Sequence, residues 1–259
     1  MKTLVTANQK GGVGKTSTLV HLAFDFLERG LRVAVIDLDP QANASYTLRD
    51  FESGLQASKL FGPVPDGGWA ETAPEAGDGA AARLVLIESD AILANAERLS
   101  LEDARTRFQT SINTLAQQGF DVCLIDTAPT LGVALVAALY AADFVLSPIE
   151  LEAYSIQGIK KMVTTIANVR QKNPNLQFLG MVPSKVDARN PRHVRHQAEL
   201  LAAYPKMMIP ATVGLRSSIA DALASGVPVW KIKKTAARKA SKEVRALADY
   251  VYTKMEISQ

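Results

Sequence analysis

Seven residues, Lys10-Gly11-Gly12-Val13-Gly14-Lys15-Thr16, stand between a short apolar run at 3–7 and a helix-forming stretch at 16–29. Glycines in that position let backbone N–H groups turn inward around phosphate oxygens, and the helix N-terminus adds a favourable dipole. The pattern predicts a phosphate cradle in which the Lys15 ammonium meets the β- and γ-phosphates and the Thr16 hydroxyl coordinates Mg2+. Asp126 closes a second apolar run, 122–125. A carboxylate at the end of a buried strand is suited to hold the same Mg2+, in part through water. Asp39 closes a third run, at the place where an open parallel sheet presents ligand groups. Locally it reads either as such a group or as the N-cap of a following helix.

These groups need a scaffold, and the rest of the chain describes one. Short runs rich in Val, Ile and Leu recur at 3–7, 32–36, 83–87, 122–125, 144–148 and 178–182, and each reads as a buried strand. Helix-length amphipathic stretches at 16–29, 100–118, 130–141, 155–171 and 191–204 separate most of them, with a final helix at about 240–255. That alternation predicts an α/β fold, a mostly parallel twisted sheet with helices on both faces. Residues 62–82 are dense in Gly and Pro and read as an irregular surface excursion rather than a domain boundary.

At 259 residues with 47% hydrophobic and 21% charged side chains, the chain has globular composition, and one domain over 1–259 is expected. The single cysteine, Cys123, excludes an internal disulfide and a multi-cysteine metal site within one chain. No basic and apolar leader precedes the phosphate loop, and no stretch approaches the roughly 20 apolar residues that span a bilayer. The net charge of +3 is unevenly placed: Lys231, Lys233, Lys234, Arg238, Lys239, Lys242 and Arg245 face one acid, Glu243. The cluster reads as a surface for a polyanion or as a solvated helix face.

The common phosphate-loop pattern G-x-x-x-x-G-K-[ST] would place glycine where this chain has Gln9. With lysine at position 10, the loop resembles the deviant Walker A motif of the ParA/MinD family of P-loop NTPases. The block Val35-Ile36-Asp37-Leu38-Asp39-Pro40-Gln41-Ala42-Asn43 is similar to that family's D-x-D-P-Q element, and residues 122–129 to its Walker B strand. Leu93-Ala94-Asn95-Ala96-Glu97 and residues 148–158 also match, so the resemblance covers essentially the whole chain and is least clear at 62–82. It implies nucleotide contacts at Lys10, Gly11, Gly12, Val13, Gly14, Lys15, Thr16, Ser17, Glu152 and Pro210, with Lys10 reaching the nucleotide of a second subunit. It also implies catalytic roles for Lys10, Lys15 and Asp39, Asp39 orienting the attacking water, and a Mg2+ set of Thr16, Asp39 and Asp126.

The resemblance further implies a ParA-type ATPase of weak intrinsic turnover that uses ATP and Mg2+ and dimerises on ATP. Such a protein binds double-stranded DNA non-specifically, is stimulated by a ParB-like centromere-binding partner, and partitions a plasmid, chromosome or mobile element. DNA contacts are expected at Arg189, in Asp187-Ala188-Arg189, and at Arg216, extended by Lys231, Lys233, Lys234, Arg238, Lys239 and Lys242. Ser184-Lys185-Val186-Asp187 is similar to the guanine-reading [NT]-K-x-D element, but serine opens it and ATP is favoured. A phosphate loop beginning at residue 10 leaves no space for an N-terminal helix-turn-helix, and the expected location is the cytoplasm, on the nucleoid. Three alternatives remain: positioning of a protein cluster or microcompartment, a MinD-like membrane ATPase, and a metabolic enzyme on the same fold. The tail at 249–259, with Lys254 against Asp249 and Glu256, suits anionic lipid poorly, so no stable membrane association is expected.

Overall fold

The computed structural model describes residues 1–73, 81–152 and 155–257, the side chains of 155–158 excepted. Among the described residues seven strands form one sheet: β1 (Lys2–Thr6), β2 (Arg32–Leu38), β3 (Glu52–Gln56), β4 (Arg83–Glu88), β5 (Val122–Thr127), β6 (Phe144–Ile149) and β7 (Gln177–Pro183). They run in the order β3-β4-β2-β5-β1-β6-β7, every pairing parallel. The helices are α1 (Lys15–Glu28), α2 (Asn43–Thr47), α3 (Leu101–Gln117), α4 (Val133–Ala141), α5 (Ser155–Arg170), α6 (Pro191–Ala203), α7 (Ser217–Ala224) and α8 (Thr235–Lys254).

The two-residue period of each strand divides the apolar side chains between two cores. In β2, Val33 and Val35 join Leu19, Val20 and Phe24 of α1 and Val244, Leu247 and Val251 of α8. Their neighbours Ala34 and Ile36 join Phe108 and Ile112 of α3, Leu135 and Ala138 of α4, and Ile166 of α5. Strands buried on both faces can be apolar throughout, which is why β5 and β6 read as continuous runs.

Topology then fixes where a ligand can sit. The chain leaves β1 through α1 toward β2 on one side, and leaves β5 through α4 toward β6 on the other side of β1. Connections departing in opposite directions open a crevice at the carboxyl ends of these strands. The phosphate loop, Asp39 and Asp126 all lie at those ends.

The structure adds elements absent from the periodicity. β3 is an edge strand of sequence Glu-Ser-Gly-Leu-Gln with only Leu55 buried, so it carries no apolar run. α2, at five residues, is too short for a helical period to register, and α7 also went unpredicted. α8 begins at Thr235, ahead of the expected start near 240, because Ala237 and Ala240 already pack against the core. In the Gly- and Pro-rich stretch, 62–73 is irregular but anchored: Trp69 is buried in the α3-side core, and Thr72 Oγ1 donates to Gln118 Oε1 at 2.8 Å. Its remainder at 74–80 lies outside the described residues.

One buried histidine ties the phosphate-loop helix to the C-terminal region. His21 Nδ1–H donates to Ser17 O at 2.7 Å, while Nε2 accepts the Val229 N–H at 3.2 Å, which fixes a neutral ring. Burial pushes its pKa down to about 4. A depressed histidine leaves the folded chain unprotonated while the unfolded chain takes a proton, so stability falls as pH drops from 6.5 toward 4. At 1.36 kcal/mol per unit this is worth up to about 3 kcal/mol. Denaturant unfolding of wild type and His21→Gln at pH 7 and pH 4 should show the wild type losing about 3 kcal/mol more than the variant.

Candidate functional site

The phosphate loop turns because two of its glycines adopt left-handed backbone, Gly12 at φ +75° and Gly14 at φ +93°. Gly14 also lies under a neighbour: a Cβ there would stand 2.5 Å from Ser184 Oγ. α1 starts immediately after Gly14 without a side-chain cap, so its first N–H groups are available to an anion. Lys15 is buried and donates to Asn8 O at 3.3 Å. Burial pulls its pKa below the usual lysine value, against the opposing pull of Asp126 and Asp39. A desolvated ammonium at an open helix N-terminus is well matched to phosphate.

Asp126 is fully buried at the end of β5, in register with Asp37 of β2. Its carboxylate accepts hydrogen bonds from Thr6 Oγ1 at 3.1 Å and Thr16 Oγ1 at 2.6 Å. Burial first, and the nearby Asp37 charge second, push its pKa up to about 7. Asp37 is raised as well by burial, although its carboxylate accepts from the Asp39 and Ser45 N–H groups and from Ser45 Oγ. The Thr16 hydroxyl and the Asp126 carboxylate form a hard oxygen pair beside concentrated negative charge, which fits Mg2+.

Asp39 stands on the wall of the cleft, nearly buried, and caps the following turn by accepting the Gln41 N–H at 3.0 Å. The N-cap position of α2 is Ala42, so Asp39 is not that helix's cap, and its ligand-facing position is the one the structure shows. The cleft itself, about 530 Å3, is bounded by the phosphate loop from Gly11 to Ser17, Asp39, Gln41, Asn43, Tyr46, Pro129 and Lys185. Asp126 lies beneath Thr16 rather than on the wall. Ser17 Oγ is turned back to Gly14 O at 3.0 Å, and Val13 is a buried wedge, so both serve the loop's shape.

Three expected nucleotide residues lie elsewhere. The Lys10 ammonium points away from this cleft onto two carboxylates of the same chain, Glu150 at 2.8 Å and Glu152. Burial is the largest single effect and lowers its pKa, but the hydrogen bonds and charges of Glu150 and Glu152 together outweigh it and leave the pKa raised. Glu152 therefore reaches Lys10 and not the cleft wall; both edge a second, mainly apolar cavity of about 170 Å3 over Ile149, Met162 and Phe178. Pro210 is exposed beyond the Met181–Met208 bridge and does not line the cleft.

The expected DNA residues divide into two groups. Arg189 is almost fully exposed, its guanidinium beside Asp187, and Lys231, Lys233, Arg238, Lys239 and Lys242 are exposed on or just before α8. Lys234 is exposed too, paired with Asp221 at 2.6 Å. Arg216, in contrast, is held by Glu243 through two bonds of 2.9 and 2.6 Å, so it is engaged rather than open. Glu243 also takes the Gly214 N–H, which uses the one acid of the basic cluster to shape the 213–216 loop.

Several contributors escaped the sequence reading. Thr6 supports Asp126, and Asn8 accepts from Lys10 N and Lys15 Nζ. Lys185 adopts φ +55°, lines the cleft, and approaches Glu150 at 3.8 Å. Its left-handed backbone, uncommon for lysine, is the kind of strain that accompanies functional loops. The only sequence signal was its place in the Ser184–Asp187 element.

With this geometry in place, the comparisons are consistent. The AAA domain family model AAA_31 matches residues 1–178. Protein IncC of Escherichia coli is 88% identical over 259 residues, covering all of this chain and 71% of that protein. Chromosome partitioning protein ParA of Caulobacter vibrioides is 31% identical over 238 residues, 88% of this chain and 86% of its own. Among solved structures, cobyrinic acid a,c-diamide synthase from Mycobacterium smegmatis, with bound ADP and magnesium, superposes with a TM-score of 0.72 at 26% identity, covering 98% of this chain and 96% of that one. The phosphate loop, the two aspartate-ended strands and these similarities together place the chain among the ParA/Soj-like partition ATPases of the ParA/MinD family.

Proposed function

We propose that the chain is an ATP-driven DNA partition switch, in which ATP closes a homodimer, the dimer rides on DNA without reading sequence, and hydrolysis releases it. The supporting observation is the position of Lys10: it belongs to the phosphate loop, yet its ammonium lies outside the cleft that Lys15 and Thr16 line. A lysine so placed must leave Glu150 and Glu152 to reach any nucleotide, and it lies outside its own chain's cleft, the place from which a second subunit's nucleotide would be met.

In this reading Lys15 and the α1 N-terminus bind the β- and γ-phosphates, and Thr16 and Asp126 hold the cation. Magnesium, when bound, supplies charge neutralisation of the phosphates and restores the ionised state of Asp126. Asp39, on the cleft wall, accepts a hydrogen bond from the attacking water and so orients it. The exposed cations of α8 and Arg189 contact DNA phosphates, doubled in number and made additive by dimer closure. A ParB-like partner accelerates hydrolysis.

The α8 geometry favours DNA over a membrane as the surface. Its apolar residues Val244, Leu247 and Val251, with Met255 just past its end, pack in the core, leaving a basic outer face and no free apolar stripe to enter lipid. No helix of the described residues is long and apolar enough to cross a membrane.

Two experiments test the reading. Asp39→Ala should bind random-sequence duplex with ATP and not with ADP or GTP, its log affinity falling with log salt by about 0.9 per phosphate neutralised. Removing Lys239 and Lys242 together takes two cations from each protomer and should lower the dimer's slope by about four phosphates' worth. Lys15→Ala should lose ATP binding by calorimetry while remaining folded. DNA binding indifferent to nucleotide, or normal ATP affinity in Lys15→Ala, contradicts the assignment.

A further inference from the structure

Glu97 lines no part of the phosphate cleft, yet it holds a loop that does. Its carboxylate accepts the N–H groups of Val133 at 2.7 Å and Ala134 at 3.1 Å, the first two residues of α4. These are donors that a helix leaves unsatisfied, and a carboxylate there also suits the helix dipole. The usual source of such a cap is the residue before the helix, but Gly132 offers no side chain. Instead the cap comes from 36 positions upstream in sequence.

The glycine and the carboxylate are matched. Gly132 sits at φ −95°, ψ 179°, extended backbone that any residue adopts. A Cβ at that position would nevertheless lie 2.3 Å from Glu97 Oε2. The backbone would accept any residue, but only glycine leaves the carboxylate room to reach the helix end, since a Cβ would push the flexible Glu97 side chain aside.

The capped loop, residues 128–132, leads from Asp126 and Thr127 past Pro129, whose ring borders the phosphate cleft and lies 3.8 Å from a Cβ placed on Gly11. Behind the loop a cavity of about 120 Å3, lined by Leu38, Pro40, Thr127, Thr130, Leu135 and Glu97, separates it from the turn that follows Asp39. Packing leaves the loop room to shift on that side, so the cap sets its position.

We propose that Glu97 is a positioning residue: by anchoring 128–132 it fixes Pro129 against the phosphate loop and keeps the γ-phosphate end of the cleft in register with Asp39. This rests on the reading that the site hydrolyses ATP. The binding groups Lys15, Thr16 and Asp126 keep their places without it, so its loss affects turnover and not nucleotide affinity.

The test is single-turnover hydrolysis of radiolabelled ATP alongside ATP affinity and melting, for wild type, Glu97→Ala, Glu97→Gln, Gly132→Ala and the Glu97→Ala/Gly132→Ala pair. Glu97→Ala should hydrolyse roughly tenfold more slowly with affinity within about twofold of wild type. Gly132→Ala, which expels the flexible carboxylate, should match it, and the pair should be no slower than either single change. Glu97→Gln, keeping one acceptor oxygen, should regain part of the rate. Wild-type turnover in Glu97→Ala, additive losses in the pair, or an affinity loss that parallels the rate overturns the proposal alone. A wild-type chain without turnover overturns the hydrolysis reading, and this inference with it.

Discussion

A carboxylate with no solvent exposure, Asp126, sits at the carboxyl end of the central strand β5, and the site is arranged around keeping it there. An isolated buried charge is costly, and a protein meets that cost with partners or by letting the group take a proton. Thr6 from β1 and Thr16 from α1 donate to its two oxygens, and Lys15 adds positive charge from the same loop. Even so, burial and Asp37 hold its pKa near 7. Raised above the unfolded value of 3.8, it favours the folded chain less as pH climbs from that value through 7. A divalent cation with a polyphosphate reverses this, which makes the site a place where ligand and fold support one another.

The same helix that presents Lys15 also carries the C-terminal region. Asp25 of α1, fully buried, pairs with Arg245 of α8 and with Arg29; Arg245 also reaches Glu28 and lies 3.6 Å over the Trp230 ring. His21, nearly two turns into α1, holds the Val229 N–H just ahead of Trp230. The exposed cations of α8 are thus attached to the helix that carries Lys15.

Features that depend on local pattern were legible in the sequence. The glycine loop, the aspartates closing β2 and β5, and strands buried on both faces all announce themselves through residue type and period. The parts that stayed hidden depend on distance across the fold. Arg216 reads as a DNA contact and Glu243 as the one acid of a separate basic cluster, and only the structure shows them neutralising each other. Glu97 sat in a recognised segment, but a cap supplied from far upstream leaves no spacing rule to find it. β3 went unseen because an edge strand buries so little that its side chains need not be apolar, and Trp69 because an anchor within a Gly- and Pro-rich stretch is a single residue without a period.

The central claim, that ATP joins two chains through Lys10, is tested most directly by mass in solution. Light scattering on Asp39→Ala and on Asp39→Ala/Lys10→Ala, each with Mg2+ and either ATP or ADP, separates the possibilities. The account predicts a dimer for the Asp39→Ala chain in ATP alone, with the Lys10-deficient chain monomeric throughout while still binding ATP. A dimer that forms equally well without Lys10, or an Asp39→Ala chain that stays monomeric when saturated with ATP, would contradict it.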